Sequence, residues 1–232
     1  MKKLLFLSCL IIVSHLQMEK ASGGVLQSIV NRTNLVHFKI ATQEFEQNKD
    51  QIRFDLNKNN IKEYYNSGAY EKEVEALCKE AECYFDKLGV TEKYLIVFDV
   101  DDTAVYAFTD WKREILDINP SETTIILPVL NLYKFLIKKG FKIFFITGRP
   151  FEKHEETKQE LKKAGYVNFV DLACMPSELH VGNTRENVAK WKCGFRKELS
   201  ERYSIVGSVA DRDVDFAGGY CGHVVKLPNY IY

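Results

Sequence analysis

Tyr94-Leu95-Ile96-Val97-Phe98-Asp99-Val100-Asp101-Asp102-Thr103 is the stretch that decides how this chain is read. Its first five residues form an unbroken apolar run, the pattern of a strand covered on both faces as in a parallel sheet. The run passes directly into three carboxylates and a hydroxyl within five residues. Like charges so close repel one another unless a cation or hydrogen-bond donors hold them, so a positive partner is implied. Residues two apart in an extended chain point the same way, and Asp99 and Asp101 can therefore address one point beyond the strand end. An acidic turn of this kind also serves as a solvated helix cap, and the rest of the chain has to choose between the two.

Downstream, apolar strands alternate with helical patterns. Leu127 to Lys139 is amphipathic and ends at Gly140, where a left-handed residue can close a helix. Lys142 to Ile146 is a second buried strand running into Thr147-Gly148-Arg149-Pro150, and Glu152 to Ala164 is a helix closed by Gly165. Phe169 to Ala173 reads as a third strand, Asn183 or Thr184 as the cap of a helix lasting to Glu201, Ser204 to Val206 as a fourth strand and His223 to Lys226 as a fifth. Such alternation predicts an α/β fold with a mainly parallel sheet, whose ligands bind at the C-terminal strand ends.

Upstream the texture is different. From Val25 to about Gly89 apolar residues recur at helical spacings (Val74, Leu77, Cys78, Ala81, Tyr84, Phe85, Leu88), with a turn at Ser67-Gly68 and a helix end expected at Gly89. Met1-Lys2-Lys3 followed by the mostly apolar run Leu4 to Leu16 reads as a signal segment, too short to span a bilayer. The nearest small-residue cluster for cleavage is Ala21-Ser22-Gly23, which sets the expected segments at 1–23 for the signal, 24–90 for a helical extension and 91–232 for the core. Export predicts a secreted or periplasmic protein without stable membrane insertion. Asn31-Arg32-Thr33 is a glycosylation acceptor only in a eukaryotic secretory pathway.

Lys+Arg and Asp+Glu each number 32 in 232 residues, and no basic run longer than a pair follows the N-terminus, so nucleic-acid polymers are poor partners. With 46% hydrophobic residues the chain can close a core. Loss of Cys9 with the signal would leave Cys78, Cys83, Cys174, Cys193 and Cys221, an odd set without a C-x-x-C spacing and hence without a zinc or thioredoxin-like signature. Cys78 and Cys83 point to different sides of one helix, so free thiols are expected, with room for one long-range disulfide in an oxidising compartment.

The strand ends carry more chemistry than the first acidic turn. Thr147 offers a hydroxyl after strand two, Lys192 lies in the helix before strand four, and Asp211 and Asp215 follow strand four at a spacing of four. That spacing puts both acids on one face if the loop turns helical. Each feature has an ordinary explanation as a turn, a surface lysine or a cap; their placement at successive strand ends favours a site.

In this order the motifs resemble the haloacid dehalogenase (HAD) superfamily, whose phosphotransfer members carry D-x-D-x-T after the first strand, Ser/Thr after the second, a Lys before the last motif and paired acids after the fourth strand. Asp99 to Thr103, Thr147 in FITGR, Lys192 in WKCGFRK, and Asp211 with Asp215 in ADRDVDF stand at those places. YNSGAY at 65–70, WKCGFRKEL and the closing Lys226-Leu227-Pro228-Asn229 look more specifically like the subfamily IIIB acid phosphatases, which include plant acid phosphatases and vegetative storage proteins. The likeness spans roughly Ile61 to Tyr232. It departs from the pattern at Gly207-Ser208, where Gly-Asp is typical, and leaves Asp213 as an alternative ligand to Asp211 or Asp215.

The resemblance implies a Rossmann-like HAD core with a helical N-terminal extension and a small cap insert at about 104–124. It implies an exported acid phosphatase acting on small phosphomonoesters, nucleotides among them. Asp99 would be the nucleophile that forms an aspartyl-phosphate, and Asp101 the proton donor and later acceptor. Thr147 and Lys192 would bind the transferred oxygens. Mg²⁺ is the implied cofactor, its oxygen ligands the Asp99 carboxylate, the Asp101 backbone carbonyl and Asp211, with Asp215 acting through water or on Lys192. Thr103 would fix the nucleophile loop by local hydrogen bonding. Tyr106, Phe108 and Trp111 could pack against the leaving group or simply against the core. The competing expectation is a catalytically weak storage or phosphate-binding protein on the same fold, against which the intact Asp99 speaks.

Overall fold

A computed structural model describes residues 58–107, 125–180 and 184–230, all within one compact unit, Leu56–Tyr232. The signal segment, Cys9, the glycosylation acceptor, the helical pattern before residue 58, and Phe108 and Trp111 lie outside the described residues. The elements are α1 (Lys58–Asn66), α2 (Ala69–Asp86), β1 (Tyr94–Phe98), α3 (Leu127–Lys139), β2 (Lys142–Pro150), α4 (His154–Lys163), β3 (Asp171–Met175), α5 (Ser177–His180), α6 (Arg185–Ser200), β4 (Ser204–Ala210) and β5 (His223–Lys226). Short 3₁₀ turns precede α4 at Phe151–Lys153 and follow β4 at Asp213–Asp215.

Every strand pairing is parallel, in the order β3-β2-β1-β4-β5. The order reverses beside β1, so β1 and β4 flank the crevice where open α/β sheets bind ligands. Alternation along the strands sorts the core onto two faces. Ile96, Phe98, Ile143 and Phe145 point into a cluster with Val74, Phe85, Val129, Tyr133 and Leu136 of α2 and α3. Leu95, Val97, Phe144 and Ile146 face the other way, against Leu199, Trp191 and Phe195 of α6. The apolar run of β1 is thus buried on both sides, and α2 is a working part of the core over its described length.

Local chemistry explains most element ends. Gly140 adopts a left-handed φ of 95° and closes α3, Gly68 at φ 76° turns the chain between α1 and α2, and the Thr184 hydroxyl accepts from Asn187 N at 3.2 Å to cap α6. The helix expected to run to Gly89 closes at Asp86 instead, with the Lys87 N–H bonded to the Tyr84 carbonyl and the Leu88 N–H to the Phe85 carbonyl. Strand two extends past Ile146 to Pro150, because a bulge between Thr147 and Pro150 lets pairing with β3 resume at Met175. Strand three starts two residues later than its pattern predicts, since Phe169 packs into the core edge-on to Phe145 before pairing begins. Strand four runs on to Ala210; its Gly207 is required, because a Cβ there would enter the Phe85 ring. The five cysteines in the described residues are free thiols.

Candidate active site

The turn after β1 is built by its own backbone. Ala104 and Val105 N–H groups both return to the Val100 carbonyl, at 2.9 and 3.1 Å, and Asp102 takes a left-handed φ of 56°, which a short polar side chain tolerates. Asp102 Oδ1 then accepts from Ala107 N at 3.0 Å. Of the three acids in the motif, Asp102 therefore braces the loop, while Asp99 and Asp101 line the cavity beyond the strand ends together with it.

Buried Lys192 is the centre of the arrangement. Its Nζ donates to Asp99 Oδ1 and to Asp215 Oδ1, both at 2.5 Å. Asp211 completes the group: carboxylate oxygens of Asp99, Asp211 and Asp215 lie within 4.8 Å of one another, and all three residues are buried. Thr103 Oγ1 donates to Asp211 Oδ1 at 3.2 Å, and Asn229 Nδ2 donates to Asp211 Oδ2. Asp213, the alternative ligand, instead lies 3.6 Å from Lys226 Nζ on the exposed side of its turn. Ionised, the three carboxylates and one ammonium leave two negative charges in a low-dielectric setting. Burial pushes the Asp99 carboxyl well above the usual carboxylate range; Lys192 pulls it down, and Asp215, Asp211 and Asp101 push it further up. Burial pulls the Lys192 ammonium down, but Asp215 and Asp99 outweigh this and hold it above the ordinary lysine value. Hard oxygen donors with a net deficit of two charges suit a divalent cation.

A second charged chain leads out of the cavity. Arg149, carried beyond Thr147 by the β2 bulge, places Nη2 2.7 Å from Asp101 Oδ1 and Nε 3.0 Å from Asp101 Oδ2. Its Nη1 reaches Glu160 Oε2 at 2.5 Å and Thr157 Oγ1 at 3.2 Å on α4. The planar fork of an arginine fits such a network, in which a lysine could make only part of the contacts.

The whole site opens on a cavity of about 610 Å³ whose wall includes Asp99, Asp101, Tyr106, Gly148, Lys192 and Asp211. An anionic ester that entered would meet a buried carboxylate, a buried ammonium and a guanidinium in one place.

Residues 26–232 match the family described as HAD superfamily, subfamily IIIB (Acid phosphatase). The chain belongs to this family. It is a phosphomonoesterase of the HAD type, and relatives within reach by sequence carry consistent names. It is 28% identical over 186 residues to a stem 28 kDa glycoprotein of Glycine max, covering 74% of this chain and 72% of that one. It is 28% identical over 188 residues to acid phosphatase 1 of Solanum lycopersicum, again 74% and 72%. In structure it is similar to the class C acid phosphatase of Bacillus anthracis with tungstate bound, at a TM-score of 0.60 and 16% identity over 75% of this chain and 84% of that one; at this identity the likeness speaks for the fold.

Among the family positions named from sequence, Asp99, Lys192, Asp211 and Asp215 meet directly, and Asp101 stands beside them on Arg149. Thr147 is fully buried, its hydroxyl accepting from Arg149 N at 3.2 Å, and it is not among the cavity-lining residues. Tyr106 lines the cavity and also packs on Tyr70, ring centroids 5.8 Å apart.

Three participants carry no motif of their own. By sequence Arg149 is part of a turn, Asn229 part of a C-terminal signature, and Arg196 one charge among many on α6. Buried Arg196, one helical turn from Lys192, donates to the carbonyls of Asp215 at 2.5 Å, Ala217 at 2.6 Å and Gly219 at 3.0 Å, fixing the loop that presents Asp215. The i,i+4 spacing of Lys192 and Arg196 is the available signal, since two cations on the side of α6 that turns to the sheet require anionic or carbonyl partners.

Proposed function

We propose that this chain is an exported, Mg²⁺-dependent acid phosphatase that hydrolyses small phosphomonoesters through an aspartyl-phosphate on Asp99. The observation that carries the reading is the buried bridge from Asp99 through Lys192 to Asp215, with Asp211 alongside, open to the cavity.

Phosphate esters resist attack because their oxygens repel nucleophiles, so a catalyst must neutralise charge and hold the nucleophile in line. Asp99, Asp211 and Asp215 would hold the divalent cation, which supplies charge neutralisation at the phosphoryl oxygens when bound. Lys192 fixes Asp99 Oδ1, leaving Oδ2 as the oxygen to attack phosphorus and expel the alcohol. Asp101 gives its proton to the departing oxygen and afterwards takes one from the water that hydrolyses the acyl phosphate. The structure holds Asp101 as an ion-pair partner of Arg149, and a dianionic substrate offers that guanidinium a second partner, freeing Asp101 to take up from solvent the proton that it then gives to the departing oxygen. Thr147, through the backbone of Arg149, shapes the loop that faces the ester. Export is supported by the basic start and the apolar run of Leu4 to Leu16.

The test is turnover of a chromogenic aryl phosphate by the mature chain with Mg²⁺ and with EDTA, alongside Asp99→Asn. Mg²⁺-stimulated turnover, abolished by the substitution, is expected. Turnover that is absent, or indifferent to both EDTA and Asp99→Asn, would return the chain to the storage or phosphate-binding reading.

A further inference from the structure

The cavity is larger than one phosphoryl group requires. At a water's share of about 30 Å³, its volume of about 610 Å³ holds roughly twenty waters, within the range of sites that enclose a whole small ligand. Besides the residues around Asp99, Lys192 and Asp101, its wall carries three nitrogen-bearing side chains from three separate elements: Lys153 on the 3₁₀ turn, His180 at the end of α5 and Arg185 at the start of α6.

Lys153 and Arg185 make no ion pair or hydrogen bond among the described residues. His180 Nδ1 is buried without any hydrogen-bond partner, an arrangement that native interiors seldom leave uncompensated. The elements are tied together from below. Ser177 Oγ on α5 donates to Glu152 Oε1 on the 3₁₀ turn, and a ring nitrogen of His154 lies 3.1 Å from the Leu172 carbonyl, fixing the start of α4 to β3. These elements also carry carboxylates: Glu155 pairs with His154 and Glu186 with Lys190, while Glu178 stands exposed on α5. Glu160 is taken by Arg149, Glu152 by Ser177, and Glu156 stands exposed on the first turn of α4.

We propose that Lys153, His180 and Arg185 form a subsite for a second anionic group, making small bisphosphorylated esters the favoured substrate class; this rests on the phosphatase reading for the first phosphate. Two cations and an imidazole on the wall of one cavity would supply charge-assisted hydrogen bonds and positive surroundings to a phosphate that is not cleaved, and so fix the ester that is. Because both cations are solvent-exposed, the contribution is moderate and sensitive to salt.

The experiment compares a nucleoside 3′,5′-bisphosphate with the corresponding 5′-monophosphate. Equilibrium binding is measured calorimetrically on the Asp99→Asn chain, and kcat/KM on the Asp99 enzyme with phenyl phosphate as a third substrate. The bisphosphate is expected to bind about tenfold more tightly than the monophosphate. Lys153→Met with Arg185→Met should erase the difference while phenyl phosphate turnover stays within about twofold. His180→Phe, which keeps the ring volume, should remove part of it. A bisphosphate that binds no more tightly, or a double variant that weakens all three ligands alike, overturns the subsite. Preferential bisphosphate binding without phenyl phosphate turnover would sink the catalytic reading and leave the subsite standing.

Discussion

Arg149 holds the Asp101 carboxylate with Nη2 at 2.7 Å and Nε at 3.0 Å, while its third nitrogen is spent on Glu160 and Thr157. The aspartate expected to carry the proton is thus positioned by β2, with α4 bracing the guanidinium, rather than by its own loop alone. Arg149→Met should lower kcat by about 10²-fold, the scale of a misplaced general acid. Arg149→Lys keeps the charge but not the fork and should recover only part of the loss. Steady-state kinetics with parallel melting curves check this; a loss of kcat fully explained by unfolding would remove Arg149 from the mechanism.

Three buried carboxylates around one ammonium repel one another without a cation, so Mg²⁺ should stabilise the fold as well as activate it. At a hundred times its Kd, a ligand specific for the folded state adds about 2.7 kcal/mol. Asp211→Asn should raise the melting temperature in EDTA by relieving repulsion, and should blunt the gain on adding Mg²⁺. Equal Mg²⁺ stabilisation of both chains would show that the cation binds elsewhere.

Gly222 adopts φ 62°, and a Cβ there would fall inside the backbone of Val206 and Gly207 on β4. Backbone cannot move aside as a side chain tip can. Gly222→Ala should therefore cost about 3 kcal/mol or more, combining left-handed strain with overpacking. Chemical denaturation is the measurement, and a loss below about 1 kcal/mol would contradict the close approach.

His223 stacks on Tyr84 with ring centroids 3.7 Å apart. Burial lowers its pKa below the ordinary 6.5, and nearby Glu80 only partly offsets this. The unfolded chain thus takes up the proton first as pH falls. The contribution of His223 to stability is complete above 6.5 and is lost as pH drops through that value towards the folded pKa. Urea midpoints of the natural chain should fall more steeply between pH 7.5 and 5 than those of His223→Phe; parallel slopes would refute the linkage.

Local pattern and turn chemistry suffice for the β1 run, the Leu127–Lys139 helix closed by Gly140, the Thr184 cap and the β5 segment. Asp99, Asp211 and Asp215 are legible in the chain because strand ends in a parallel sheet gather on one side, whereas Lys192, in the middle of α6, is legible through the family resemblance. Arg149 is not, because the bulge that carries it past Thr147 depends on where β2 meets β3 again.

Periodicity and punctuation in the chain determined a parallel α/β sheet with acids at its C-terminal edge, since those signals act between residues a few positions apart. Only the tertiary structure decided that Lys192 lies between Asp99 and Asp215, that Asn229 and Thr103 both serve Asp211, and that Arg196 secures the loop beneath. These contacts join residues up to 108 positions apart, and their existence depends on how buried charge is matched in space once the sheet and helices have packed.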